Sequence, residues 1–204
     1  MLQSLALPLL LAAPAAAPPR PAWPLSAELL IGADAAADAP PDLKRQLTKH
    51  RQRLMAGIRD AAAAETGTRD AGAHRAAAVR GARALAAAIR DRHPFSDIAY
   101  EAGGIVHEAA AAAILSAGPA DAGELVRVAR RARFLGYTAT PFADPETLVA
   151  GAQVPSGASP DVAYDAALTT ATRLFAWVWK AAGGDSSIVT RYPVSGGPYV
   201  LRGD

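Results

Sequence analysis

The chain carries four histidines, His50, His74, His93 and His107, and no cysteine. Without thiolates, any metal site must be built from imidazole, carboxylate or backbone groups. His107 stands in "YEAGGIVHEAAAAAIL", Tyr100 to Leu115, an apolar, alanine-packed stretch with two glycines one turn earlier. A buried imidazole is costly unless a hydrogen bond or a metal satisfies it. A second ligand on the same helix face belongs at i+4, where Ala111 stands, and Glu108 points about 100° away from His107. His107 therefore reads either as a core histidine satisfied by a neighbour or as a ligand completed from other helices. Asp60 and His74 could complete it, since they sit on consecutive helices joined by a short turn, one late and one early. One carboxylate with two imidazoles suits zinc, with water as the fourth ligand. The plainer reading of Asp60 is a surface charge near Arg59 or Arg75. His50 reads as a core-stripe residue, and His93 as a helix-end residue before Pro94. Arg127, Arg130, Arg131 and Arg133 form a solvated helix face, with phosphate binding as the alternative. The chain shows no glycine-rich phosphate loop and no nucleophile elbow.

The elements that must position these residues are helical. Hydrophobic residues make up 51% of the 204 positions but aromatics only 6%, so the apolar content is mostly alanine, the strongest helix former. The expected fold is all-α, a single-domain bundle of about six helices over residues 23–184, with an irregular tail at 185–204. A first helix runs from Ala27, with Ser26 as cap, to about Ala37. A second starts at Pro41 and runs to about Glu65, with Leu43, Leu47, His50, Leu54, Ile58 and Ala61 as its buried stripe. A third covers Arg69 to Arg92, with Val79, Ala82, Leu85 and Ile89 inward and Arg80, Arg83 and Arg90 outward. The fourth, Asp97 to about Ser116, is apolar nearly all round and is the expected central helix, with Gly103 or Gly104 at a close crossing. A fifth spans about Ala120 to Leu135, a long irregular connection follows, and the last helix runs from Ser159-Pro160 to Gly183-Gly184.

The formal net charge of +2 argues against a nucleic-acid partner. Residues 1–22 read as a signal peptide or disordered leader. The run from Leu5 to Ala17 is too short to span a membrane, and its A-x-A end suits cleavage. The expected location is periplasmic or secreted. No later segment reads as a membrane span.

The order of features resembles the zinc-dependent phospholipase C family, whose helical fold is shared with certain single-strand-specific nucleases. "AW", Ala22-Trp23, matches the family's mature N-terminal tryptophan. "ADAAADAPPDLKRQLTKHRQRLMAGIRD" resembles its helix, proline break and second helix ending in a metal-binding aspartate, here Asp60. His74 follows at a similar separation, and "HPFSDIAYEAGGIVHEAA" resembles the helix with an aliphatic–Gly–x–x–x–His pattern, here His107. The similarity covers roughly residues 22 to 115. It implies zinc as cofactor, Asp60, His74 and His107 as metal ligands, and a phosphoester or phospholipid head group as partner. The chain departs from the family at Ala111, where an aspartate is expected, and it lacks the early histidine. It has no histidine after His107, which excludes a trinuclear zinc centre. The resemblance thus implies at most one zinc site and weak or no phosphoester hydrolysis. The reading from another class is a non-catalytic helical binding or scaffold protein.

Overall fold

A computed structural model describes residues 23–65, 69–117, 127, 144–152 and 154–185. Among these residues the chain is all-α, with seven helices and no strand. They are α1 Leu25–Asp38, α2 Pro41–Lys49, α3 Arg51–Ala64, α4 Ala71–Arg90, α5 Phe95–Ala117, α6 Pro145–Ala150 and α7 Pro160–Ala181. The central helix is α5, as its all-round apolar character requires. It packs against α3, α4 and α7 and also touches α1 and α2. Ile98, Ile105, Val106 and Ile114 are buried, and Leu115 is half-buried. By length and composition α5 could cross a membrane, contrary to the sequence expectation. Yet 72% of its apolar window is buried inside the protein, which is the pattern of a core helix.

Glycine sets the approach of α5 to α3. A Cβ on Gly103 would lie 2.5 Å from the Leu54 carbonyl oxygen and 2.6 Å from the Ile58 nitrogen. A Cβ on Gly57 would run into the Tyr100 carbonyl. The two backbones touch because both positions lack side chains. Gly104 faces open space, so of the two glycines expected at a crossing, Gly103 makes it.

Three local features differ from the sequence expectations. The long helix from Pro41 to Glu65 is two helices, broken at His50, whose backbone sits at φ −105° and ψ 26° and whose N–H reaches back to the Gln46 and Thr48 carbonyls. The break lets α2 lie on α1 while α3 follows α5, and it leaves His50 half-exposed instead of in the core. The irregular connection contains α6. Its start is fixed by Asp144, whose carboxylate accepts from the Thr147 backbone N–H at 2.7 Å and hydroxyl at 2.9 Å, with Pro145 in the first turn. The expected Ser26 cap does not form. The first helix begins at Leu25 after Pro24, without a side-chain cap, and the central helix begins at Phe95, ahead of Ser96.

The leader, the C-terminal tail and the helix expected over 120–135 lie outside the described residues, apart from Arg127, which is helical and exposed. Trp23 opens the described chain. Its indole N–H donates to the Ala110 carbonyl at 2.7 Å, and its ring meets Tyr164 edge-on at 5.8 Å, pinning the lead-in of α1 to α5 and α7.

Candidate functional site

His107 and His74 reach the same place from different helices. His107 is buried on α5 and His74 on the first turn of α4, and their rings meet edge to face at 6.3 Å and 80°. The position of His74 follows from the start of α4. Asp70 caps that helix, accepting from the Ala73 N–H at 2.7 Å, which places His74 one turn in, on the inward face.

Between the two imidazoles stands Glu65, the residue that ends α3. Its Oε2 lies 2.8 Å from His107 Nε2 and its Oε1 lies 3.1 Å from His74 Nε2. The outward nitrogens have separate partners. His107 Nδ1 is 2.9 Å from Glu28 of α1, and His74 Nδ1 is 2.7 Å from Glu108 of α5. Arg69 completes the group. Its Nη1 donates to both Glu108 oxygens, at 2.9 and 3.1 Å, and its Nη2 donates to Glu65 at 3.4 Å.

All four imidazole nitrogens thus face carboxylate oxygens. A neutral imidazole has one N–H and one lone pair, so one nitrogen of each neutral ring would turn a lone pair onto a carboxylate. The arrangement is satisfied if both rings are protonated, or if a cation is shared at the Nε2 side. Charge leads to the same requirement. Three carboxylates against the single guanidinium of Arg69 leave two negative charges, which two imidazolium protons or one divalent ion would balance. Buried charge without such balance is expensive. Burial pushes the Glu28 carboxyl above its ordinary range, with His107 opposing. Burial pulls His107 down, but hydrogen bonds and charge from Glu28 and Glu65 outweigh it and hold the ring above its ordinary value.

The cluster opens on one side. His74, His107 and Glu28 have side chains only 1%, 5% and 6% exposed, whereas Glu65, Glu108 and Arg69 are at 23%, 18% and 37%. Glu65, Glu108 and Arg69 therefore form the mouth.

Of the residues expected from sequence, His74 and His107 are brought together and Asp60 is not. Asp60 is exposed on α3 and accepts from the Tyr100 hydroxyl at 2.8 Å. The reason is helical phase. Asp60 lies two residues past Ile58 and faces outward, whereas Glu65, seven residues past Ile58, falls back on the buried stripe of Leu54 and Ile58. His93 is exposed at the end of α4. Sequence reading missed Glu28, Glu65 and Glu108. Glu65 was findable as the continuation of the α3 stripe, and Glu28 as the partner one turn before Ile31 on the buried side of α1. Among the described residues, no group of three His, Asp or Glu side chains is placed to hold a metal ion, and the Glu65 carboxylate lies directly against both Nε2 atoms. In comparison with known proteins, no family model matches the chain, and no curated protein or solved structure shows significant similarity to it.

Proposed function

We propose that this chain is a zinc-binding helical protein whose ligand is a phosphoryl group. The proposed donors are His74 Nε2, His107 Nε2 and the Glu65 carboxylate. One observation carries the reading: both Nε2 atoms converge on one carboxylate, while each Nδ1 is held by a carboxylate of its own. Metal-ligating histidines typically donate the other ring N–H to a carboxylate or carbonyl, which fixes the tautomer and raises ligand basicity. Glu28 and Glu108 suit that role. The donor set also fits in charge, since a divalent ion matches the two negative charges left by three carboxylates and Arg69. Zinc bound to three protein ligands supplies a Lewis acid and a water of lowered pKa, the chemistry of phosphoester hydrolysis. Glu28 and His107 close the inner side against water, and Glu65 and Glu108 hold the solvent-facing side. A relation to the zinc-dependent phospholipase C family is part of this proposal, with Glu65 in the role first given to Asp60 and with a single site.

The second reading is a non-catalytic scaffold in which the same six residues clasp α1, α3, α4 and α5 with both rings protonated. Its support is the direct contact of Glu65 with both imidazoles, which leaves no gap for an ion. The test is calorimetric titration of chelator-treated protein with zinc, with metal analysis after dialysis. The metal reading expects one ion per chain, lost in His107→Ala and retained in His93→Ala. Absence of stoichiometric zinc in the parent protein establishes the clasp instead.

A further inference from the structure

A groove opens where α4, α5, α6 and α7 meet, about 290 Å³ counting the space at its mouth. Its closed part has only about 10 Å³, room for one water-sized group, so an occupant lies mostly along the open side. Ala109 and Ala112 of α5 and Val149 of α6 give it apolar walls, interrupted by Arg75 of α4, Ser116 of α5 and Thr170 of α7. None of these residues belongs to the histidine cluster. Thr170 is only 7% exposed. Its hydroxyl makes no hydrogen bond among the described residues, whereas that of Thr172 donates to the Leu168 carbonyl at 2.9 Å. A hydroxyl set against alanine and valine without a partner is costly, and a ligand atom that accepts from it removes that cost. Arg75 has no carboxylate partner among the described residues, and its hydrogen bond there, to Ser116 Oγ, is long at 3.4 Å. Ser116 donates its own hydrogen to the Ala112 carbonyl at 2.8 Å, so it offers Arg75 a lone pair and no charge. The guanidinium thus keeps both an unbalanced positive charge and N–H donors at the groove.

We infer that this groove binds a small aliphatic monocarboxylate, its carboxylate paired with Arg75 and accepting from the Thr170 hydroxyl, its chain lying along the alanine and valine walls. A guanidinium matches the two oxygens of a carboxylate side by side. The chain is short, because the space falls at the low end of ligand pockets, which run roughly 300–1,000 Å³. Arg75 repels an amine of the same length, and inorganic phosphate leaves the apolar walls unused.

The test is a titration of the isotope-labelled, chelator-treated full chain with butyrate, acetate, butylamine and inorganic phosphate, followed through the backbone amide resonances. Chelation makes the outcome independent of zinc. Butyrate is expected to saturate one site and to shift the amides of Ala109, Ala112, Ser116 and Val149, leaving those of Glu28 and Asp60 in place. Acetate should bind about tenfold more weakly, since each methylene removed from water contributes about fourfold. Butylamine should shift nothing. Arg75→Gln should weaken butyrate about tenfold or more, the worth of a charge-assisted pair, and Thr170→Val about threefold or more, the worth of a neutral hydrogen bond. Thr170→Val keeps the side-chain shape and should leave the unfolding midpoint unchanged or raised, which separates a ligand contact from a structural one and holds the test open if Arg75→Gln fails to fold. The inference is overturned if butyrate shows no saturable binding, if phosphate binds as tightly as butyrate, or if Thr170→Val binds butyrate as the parent does.

Discussion

His74 and His107 face one another across a single carboxylate, with Glu65 Oε1 at 3.1 Å from one Nε2 and Oε2 at 2.8 Å from the other. That bridge ties the end of α3 to α4 and α5. Glu28 extends it to α1 through a fully internal pair, 2.9 Å long, with both side chains nearly closed to solvent.

The positioning carboxylates should be separable from the proposed ligands. Glu65→Gln should reduce zinc affinity at least about 100-fold, and Glu28→Gln or Glu108→Gln about 10–100-fold, the range seen when groups orienting a ligand histidine are removed. Asp60→Asn should leave zinc affinity unchanged, since Asp60 binds Tyr100 at the surface. Calorimetry on the four variants checks this. Zinc affinity lost in Asp60→Asn but kept in Glu65→Gln would reverse the assignment.

Metal-free protein should lose stability as pH rises. Glu28 is raised above 4.5, first by burial. His107 is raised above 6.5 because Glu28 and Glu65 outweigh its burial. Glu28 and Glu65 contact His107 directly, His74 lies across Glu65, and Glu108 and Arg69 lie beyond. Both shifts mean that the folded chain binds more protons than the unfolded chain, so the slope of stability with pH is negative. The Glu28 contribution fades as pH climbs above 4.5. The His107 contribution is complete below 6.5 and disappears as pH passes through the raised folded value. Thermal unfolding of the metal-free protein should therefore show a falling midpoint from pH 5.5 to 8.5, with a smaller fall in His107→Gln. A midpoint that rises over this window would refute the charge assignment.

The helix crossing gives a pair of neighbouring substitutions with opposite outcomes. Gly103→Ala forces a methyl group to within 2.5 Å of the Leu54 carbonyl and should cost ~1–3 kcal/mol through overpacking. At Gly104 a methyl group meets nothing within 4 Å, and Gly104→Ala should stabilise α5 by ~0.5–1 kcal/mol through helix propensity. Urea unfolding of the two variants measures both. Equal effects at the two positions would show that α3 and α5 do not touch through Gly103.

Arg92 ends α4 with φ 62°, the only positive φ at a non-glycine among the described residues. The His93 N–H bonds back to the Ala88 carbonyl at 3.0 Å and the Arg92 N–H to Ile89 at 3.1 Å, closing the helix in the way that usually calls for glycine. Arg92→Gly should stabilise the protein by ~0.5–1 kcal/mol by relieving that left-handed strain. A lower unfolding midpoint in Arg92→Gly would mean that the arginine side chain contributes more than its backbone costs.

The sequence by itself determined most of the described helices and their inward faces, but not the break at His50 or the short helix α6. Alanine content, proline and glycine breaks and the three-to-four spacing of Leu54, Ile58, Val79, Ala82 and Leu85 are local signals, and these five residues are buried, although His50, Ala61 and Ile89 of the same expected stripes are only half-buried. The apolar stretch around it picked His107, because a buried imidazole has to be satisfied somewhere, and the expected helix hairpin picked His74 together with Asp60. What completes the cluster was decided by packing. Glu28 and His107 are 79 positions apart and Glu65 and His107 are 42, and nothing local specifies that α1 and the end of α3 both lie against α5. That proximity comes from Gly57 and Gly103 letting α3 and α5 touch, and from Trp23 pinning the lead-in of α1 to Ala110. Periodicity could show that Glu65 continues the buried stripe and that Asp60 leaves it. A carboxylate at a helix end usually meets water, however, and only the tertiary structure turns Glu65 inward between two imidazoles.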